Sequence, residues 1–331
     1  MKTLTEVRAL VALTALVAAC DTNSGPVSPG PLALSAALSD YSDWSTPVNL
    51  GPIVNSAGDD NRPAISKDGL SLIVSTNRPG GFGNLDLWVS QRASVDDPWG
   101  PLQNMGPSIN SDSGESAPTF SPDGHRLYFH SAKTGGCGAI DLYVARRHDK
   151  RDDLNWEPAE NLGCIVNSIY DDAGPTIFED DGITTLLFTS SRPGGPGNFD
   201  IYQTTRVGDD GEFGPATLVS ELSAPFRDTR TTISRDHLEL IMSSDATGRP
   251  GGIGGQDLWV ATRATVSDPW STPANLGPTV NTTAFDGAAA LSFDGETLYF
   301  FSNRAGGSGG NDIWMTTRTK LRGVEVALGR K

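Results

Sequence analysis

Positive charge is scarce in this chain. Lysine and arginine number 25 against 40 aspartates and glutamates, giving a formal net charge of −15 and a pI near 4.6. That balance argues against nucleic acid as a partner and against a bare anionic membrane surface. An acidic surface of this kind also keeps an exported protein soluble. Histidine is rare too: His125, His130, His148 and His237 are scattered and show no metal-ligand spacing. Gly306-Gly307-Ser308-Gly309-Gly310 fits the Gly-x-Ser-x-Gly spacing, but it lies in a glycine run with no helical pattern after it, so the chain carries no specific catalytic signature. Long helical periodicity is missing beyond the first twenty residues. The apolar run at residues 9–19 is too short to span a bilayer as a mature helix. Cysteine is limited to Cys20, Cys137 and Cys164.

Glycine and proline, at 38 and 22 residues, are plentiful and suit a protein of many tight turns. The chain is organised around one stretch, Gly80-Gly81-Phe82-Gly83-Asn84-Leu85-Asp86-Leu87-Trp88, which returns four times. The later copies end at Asp141-Leu142-Tyr143, Asp200-Ile201-Tyr202, Asp257-Leu258-Trp259 and Asp312-Ile313-Trp314. Their aspartates lie 55, 59, 57 and 55 residues apart. A fixed period of this size means a repeat architecture.

Each unit holds four strand-like runs. In the second unit these are Ala117-Pro118-Thr119-Phe120-Ser121, then Arg126-Leu127-Tyr128-Phe129-His130-Ser131, then Asp141-Leu142-Tyr143-Val144-Ala145-Arg146, then the run opening at Trp156. Asp-Gly or its equivalent turns the first run into the second, at Asp68, Asp123, Asp181, Asp236 and Asp294. Aromatic residues recur in the third run and at the start of the fourth, at Trp99, Trp156, Phe213 and Trp270. Such rings are most simply the apolar filling between stacked sheets. Four antiparallel strands repeated radially make a β-propeller. The expected fold is therefore all-β, with five blades over residues 41–318. No fourth run follows the fifth unit. Trp44-Ser45-Thr46-Pro47-Val48-Asn49-Leu50-Gly51, ahead of the first unit, matches Trp270-Ser271-Thr272-Pro273-Ala274-Asn275-Leu276-Gly277. The N-terminal strand is expected to complete the last blade, in competition with the tail at residues 319–331, where Val324 and Val326 alternate.

The Ser-Pro-Asp-Gly turn at Ser121, Pro122, Asp123 and Gly124, the Leu-Tyr-Phe strands at Leu127 and Leu298, and the Asp-Leu-Trp third strands resemble the WD-like propeller repeats of the TolB type. The long tryptophan-to-glycine connection is similar to that found beside peptidoglycan-binding domains, but no such extra domain is present in this sequence. The resemblance implies a bacterial envelope protein that works by binding other proteins. The start of the chain agrees. Residues 1–19 read as a signal peptide, and Leu16-Val17-Ala18-Ala19-Cys20 resembles the lipobox of bacterial lipoproteins. That resemblance implies acylation of Cys20 and a membrane anchor, against the alternative of an ordinary signal with an incidental cysteine. Within residues 20–40, the segment after Cys20 is rich in Ser, Pro, Gly and Ala and reads as a flexible tether. Whether the anchor sits in the inner or outer membrane is left open by Asp21.

In a four-strand meander, the second-to-third loops and the connections between blades share one face. Cys137 and Cys164 both fall there, so a disulfide between them is expected, worth roughly 3 kcal/mol. The same face gathers Asp60, Glu115, Asp172, Asp228 and Asp286, one per blade, as an acid ring around the channel mouth. Arg78, Lys133, Arg192, Arg249 and Arg304 lie nearby, so each acid is expected to pair within its own blade. The sharper alternative is a carboxylate ring holding a cation, for which calcium is the suited ion. The glycine loops mimic calcium-binding nonapeptides but are one residue too long and not contiguous. Their aspartates are expected to bond nearby backbone amides. Arg62, Tyr170, Phe226, Arg227, Arg230 and Phe285 form a candidate binding rim where blade four breaks the symmetry, with Arg62 at the position matching Arg230. The expectation is a monomeric, lipid-anchored envelope propeller that binds a protein or glycan, with no cofactor, and is more a binder than an enzyme. The alternative is a glycan-cleaving hydrolase with Asp60, Glu115 or Asp172 as its acid and base.

Overall fold

The computed structural model describes residues 41–208 and 211–321. The first strand, β1 (Val48–Asn49), precedes the first blade in the chain. Blade one comprises β2 (Asp60–Ile65), β3 (Ser71–Thr76), β4 (Asp86–Gln91) and β5 (Gln103–Asn104). Blade two comprises β6 (Glu115–Phe120), β7 (Arg126–Ser131), β8 (Asp141–Arg146) and β9 (Glu160–Asn161). Blade three comprises β10 (Asp172–Asp180), β11 (Ile183–Ser190), β12 (Asp200–Val207) and β13 (Thr217–Leu218). Blade four comprises β14 (Asp228–Ile233), β15 (Glu239–Asp245), β16 (Gln256–Thr262) and β17 (Ala274–Asn275). Blade five holds β18 (Asp286–Leu291), β19 (Thr297–Ser302) and β20 (Asp312–Thr317), and its outer place is filled by β1. All pairings within blades are antiparallel. This is the five-bladed propeller that the repeat period implies.

Strand alternation builds the core. Along β3, Ile73 joins an apolar cluster shared with blade two, while Leu72 and Val74 join one shared with blade five. Five such clusters fill the five gaps between neighbouring blades. Each fully buried aliphatic or aromatic side chain in them contributes roughly 1.5–3 kcal/mol. The aromatic filling predicted for the third strands is present: Tyr143, Tyr202, Trp259 and Trp314 are buried. The fourth-strand rings also fill the gaps between blades, with Trp156, Phe213 and Trp270 inside the clusters and Trp44 and Trp99 packed against them. They lie ahead of the paired segment, which is only two residues long in every blade. A proline just before that segment, such as Pro47 or Pro273, has no N–H to give the ladder. Each tryptophan also lies under an arginine leaving the third strand: Arg92 over Trp99 at 4.3 Å, Arg147 over Trp156 at 4.4 Å, Arg263 over Trp270 at 4.2 Å and Arg318 over Trp44 at 4.4 Å.

The glycine loops act as connectors. Asp86 accepts hydrogen bonds from the amides of Phe82 (2.9 Å) and Gly83 (3.3 Å), and Asp141, Asp257 and Asp312 do the same in their own loops. The third glycine of each loop packs against the next blade. A Cβ on Gly83 would sit 2.1 Å from the Ser113 carbonyl oxygen, and one on Gly309 would sit 1.9 Å from that of Gly58. Only glycine fits so close an approach. The disulfide between Cys137 and Cys164 is formed, with Cα atoms 5.7 Å apart.

Every innermost strand carries a bulge at the same place. The residues there are Arg62, Ala117, Gly174, Arg230 and Ala288, with φ of 46°, 54°, 59°, 35° and 46°. Four of the five are L-residues held in the left-handed region, which costs of order 1–2 kcal/mol each. Their repetition marks the strain as a property of the fold. Its consequence is that these five residues meet around the channel axis.

Candidate functional site at the loop-face mouth of the channel

The five symmetric acids are structural. Asp60, Glu115, Asp172, Asp228 and Asp286 are all 0–1 % exposed. Their oxygens turn back onto the connection that leads into the blade. Asp60 accepts from the Ser56 amide (2.5 Å) and hydroxyl (2.9 Å), and Asp286 accepts from the Thr282 amide (2.6 Å). Four hold an arginine of their own blade: Arg78 on Asp60 (2.7 Å), Arg192 on Asp172 (2.6 Å), Arg249 on Asp228 (2.7 Å) and Arg304 on Asp286 (2.5 Å). Arg78, Arg192 and Arg304 also donate to a carbonyl of the same connection, as Arg78 does to Val54 at 2.5 Å. Blade two departs from this scheme. Lys133 is exposed and takes no part, and Glu115 is held by the hydroxyls of Ser111 (2.6 Å) and Ser131 (2.7 Å). None of the five lines the channel cavity. Asp60, Glu115 and Asp172 are thus corrected as candidate acid and base, because burial takes all three out of the cavity and their lone pairs are used by an arginine at Asp60 and Asp172 and by serine hydroxyls at Glu115. Among the described residues, no group of three or more His, Cys, Asp or Glu is arranged to hold a metal ion.

The channel opens on the loop face into a cavity of about 420 Å3. Of the six predicted rim residues, Arg62, Arg227, Arg230 and Phe285 line it. Tyr170 and Phe226 do not. Tyr170 is 41 % exposed on the blade-two side, and the Phe226 ring packs 5.5 Å from the Arg249 guanidinium. The term rim also needs correction for two residues. Arg62 and Arg230 project from the bulges into the channel, and Arg230 is only 6 % exposed. Arg230 Nη2 crosses the ring to the carbonyls of Pro63 (3.2 Å) and Pro118 (2.6 Å), tying blade four to blades one and two. It lines both this cavity and a smaller one of about 140 Å3 on the opposite face, so its side chain forms the waist between them.

Sequence reading missed the rest of the lining. Amides come from Asn61, Gln256, Asn303 and Asn311, and aromatic rings from Phe199 and Phe301. The available signal was register. The residue before each ring acid reads Asp59, Gly114, Asp171, Arg227 and Phe285. The residue that faces it across the blade, at the end of the second strand, reads Asn77, Ala132, Ser191, Asp245 and Asn303. These mouth positions vary from blade to blade, where the buried acids hardly vary. Asp245 is the carboxylate among the cavity-lining residues. Burial pushes its pKa up, against the opposing pull of Arg227. Asp59 lies behind Asn311 and accepts from its backbone amide at 3.0 Å.

Electrostatically the channel is the reverse of the expected acid ring. Burial, then the charge of Arg227, pulls Arg62 down to about 10. Burial, then the charge of Arg62, pulls Arg230 down to about 9. His130, on the wall, is held well below the usual imidazole range by burial and by both arginines. Its Nδ1 accepts the Gly174 amide at 3.2 Å, which leaves the neutral ring's proton on Nε2.

No family model and no curated protein sequence matches the chain. Solved structures do. The α-L-arabinofuranosidase PaAbf62A from Podospora anserina matches with a TM-score of 0.55 at 13 % identity, over 85 % of this chain and 98 % of that one. An α-L-arabinofuranosidase from Lactobacillus brevis matches with a TM-score of 0.57 at 13 % identity, over 82 % and 93 %. TolB from Acinetobacter baumannii matches with a TM-score of 0.45 at 14 % identity, over 80 % and 55 %, and at that score carries no argument. Likeness at this identity is likeness of fold. The matches nonetheless overturn one expectation. The propellers that this chain resembles are mainly glycoside hydrolases, so the reading as a binder without enzymatic activity is withdrawn.

Proposed function

We propose that this chain is a glycan-directed hydrolase acting at the loop-face mouth of its channel. The observation that carries the reading is the make-up of the 420 Å3 cavity, where side-chain amides and aromatic rings surround one desolvated carboxylate. Amides match sugar hydroxyls as paired donors and acceptors, and flat rings match the apolar faces of pyranoses. A carboxyl group whose pKa burial raises is suited to protonate the departing oxygen of a glycoside. Asp245 takes that role. Asp59, on the other side of blade five, is assigned as the second carboxylate that glycoside hydrolysis needs. The net reaction adds water across one glycosidic bond.

The test is release of reducing ends from a panel of arabinan, xylan, pectin and peptidoglycan glycan strands. Asp245→Asn is expected to lower turnover by about 10²–10⁴-fold, the usual worth of a general acid, with Asp59→Asn in the same range. No hydrolysis of any of these polymers, or full activity in Asp245→Asn, would sink the proposal. We further propose that the protein works outside the cytoplasm, anchored through Cys20. The TolB-type motifs support the repeat chemistry here and name no protein partner.

A further inference from the structure

Two arginines at the waist of the channel have no part in the blade ion pairs or in the proposed hydrolysis. Arg230 Nε and Nη1 are buried with no hydrogen-bond partner. Arg62 has one, donating from Nη1 to the Ser116 hydroxyl at 3.0 Å. Among the described residues, neither forms an ion pair, nor does Arg227, whose guanidinium lies 4.7 Å over the Phe199 ring. His130 adds a further N–H donor on the same wall. Elsewhere the fold pairs its inward arginines with carboxylates, as at Arg78, Arg192, Arg249 and Arg304. Unpaired guanidinium groups stripped of water are costly unless an anion joins them.

We propose that the channel holds the carboxylate of a uronic acid residue between Arg62 and Arg230, so that the substrate class is an acidic glycan. The inference rests on the hydrolase reading for the rest of the substrate. The planar fork of a guanidinium matches a planar carboxylate in two parallel hydrogen bonds. The amides and rings nearer the mouth then meet the sugar ring, and Arg230 closes the floor of the cavity. A terminal uronic acid therefore enters with its carboxylate leading.

Binding is separable from cleavage, and calorimetric titration of the full folded chain tests it. The probes are D-galacturonate and D-glucuronate, with D-galactose, D-glucose and inorganic phosphate as comparisons. A uronate is expected to bind at least about tenfold tighter than its neutral sugar, as charge-assisted hydrogen bonds allow. Arg62→Met is expected to remove that preference, while Lys133→Gln, at an exposed position outside the cavity lining, keeps it. Arg62→Lys, which retains charge but loses the fork, covers the case in which the Met variant fails to fold, and is expected to fall between the two. Equal binding of neutral and acidic sugars, a preference untouched at Arg62, or binding confined to phosphate would each overturn the inference. Absence of turnover on polysaccharides would count against the hydrolase reading and leave the binding result standing.

Discussion

At the residue scale, His130 shows how burial sets a charge state. Its imidazole is 8 % exposed, faces the guanidinium groups of Arg62 and Arg230, and takes the Gly174 amide on Nδ1. Both arginines stay protonated below pH 7, so no nearby group relieves the penalty on a charged ring. The folded pKa lies well below the ordinary 6.5 of the unfolded chain. Above 6.5 the histidine is neutral in both states and its contribution is complete. As pH falls through that value, the unfolded chain takes up a proton that the folded chain refuses. Stability is then lost by at most about 1.4 kcal/mol per pH unit until the folded pKa is reached. Urea unfolding at several pH values is expected to show a flatter pH dependence for His130→Gln than for the natural chain below 6.5. Parallel slopes would show that another group sets the acid sensitivity. In the sequence His130 was one of four scattered histidines. Its neighbours come from β10 and from bulges in blades one and four, contacts 44 and more residues away that no spacing rule reveals.

At the element scale, ring closure rests on a two-residue strand. Val48 and Asn49 pair with Met315 and Trp314. Asn49 adds most of the specificity. Its Nδ2 donates to Asp312 (3.0 Å), and its Oδ1 accepts from the Gly51 amide (2.8 Å) and from Asn55 (2.9 Å). Asn275 repeats the set within blade four, on Asp257 at 2.7 Å, and Asn161 repeats it in blade two, on Asp141 at 3.2 Å. Asn49→Ala breaks all three bonds and takes a partner from the buried Asp312 acceptor and the buried Asn55 donor. A loss of about 1–3 kcal/mol is expected, with early hydrogen exchange in β20. Unfolding and exchange like those of the natural chain would remove Asn49 as the latch. This element was legible because Trp44 to Gly51 copies Trp270 to Gly277. The bulges were not. Nothing in Asn61-Arg62-Pro63 or Ser116-Ala117-Pro118 departs from an ordinary strand, apart from a proline that ladder bonding must avoid.

At the scale of the whole molecule, five similar blades are joined by glycine loops, asparagine clips in four of the five and cation–π pairs, and the channel mouth is where side-chain identity varies at every blade. Symmetric positions bear stability; asymmetric ones bear any chemistry. The disulfide in blade two suits an oxidising compartment. The proposed signal peptide and lipid anchor, the tether and the tail beyond residue 321 lie outside the described residues. Anchoring has its own expected outcome: the natural chain partitions with membranes and carries added acyl mass at Cys20, and Cys20→Ser releases it to the soluble exported fraction. A soluble natural chain without that mass would refute the anchor.

The sequence by itself determined the blade count, the strand order, the closing partner and the disulfide. All of these come from local chemistry repeated at a fixed period: turn residues, alternating apolar positions and matched motifs. Only the tertiary structure decided which charges face the channel. Asp60 and Arg62 are two residues apart, yet one is locked into its blade by Arg78 and the other is turned onto the axis by a left-handed backbone. That choice depends on a bulge formed by pairing with a second strand and on five inner strands converging at one axis. Neither is a property of any single stretch of chain, which is why an expected ring of acids became a pair of arginines.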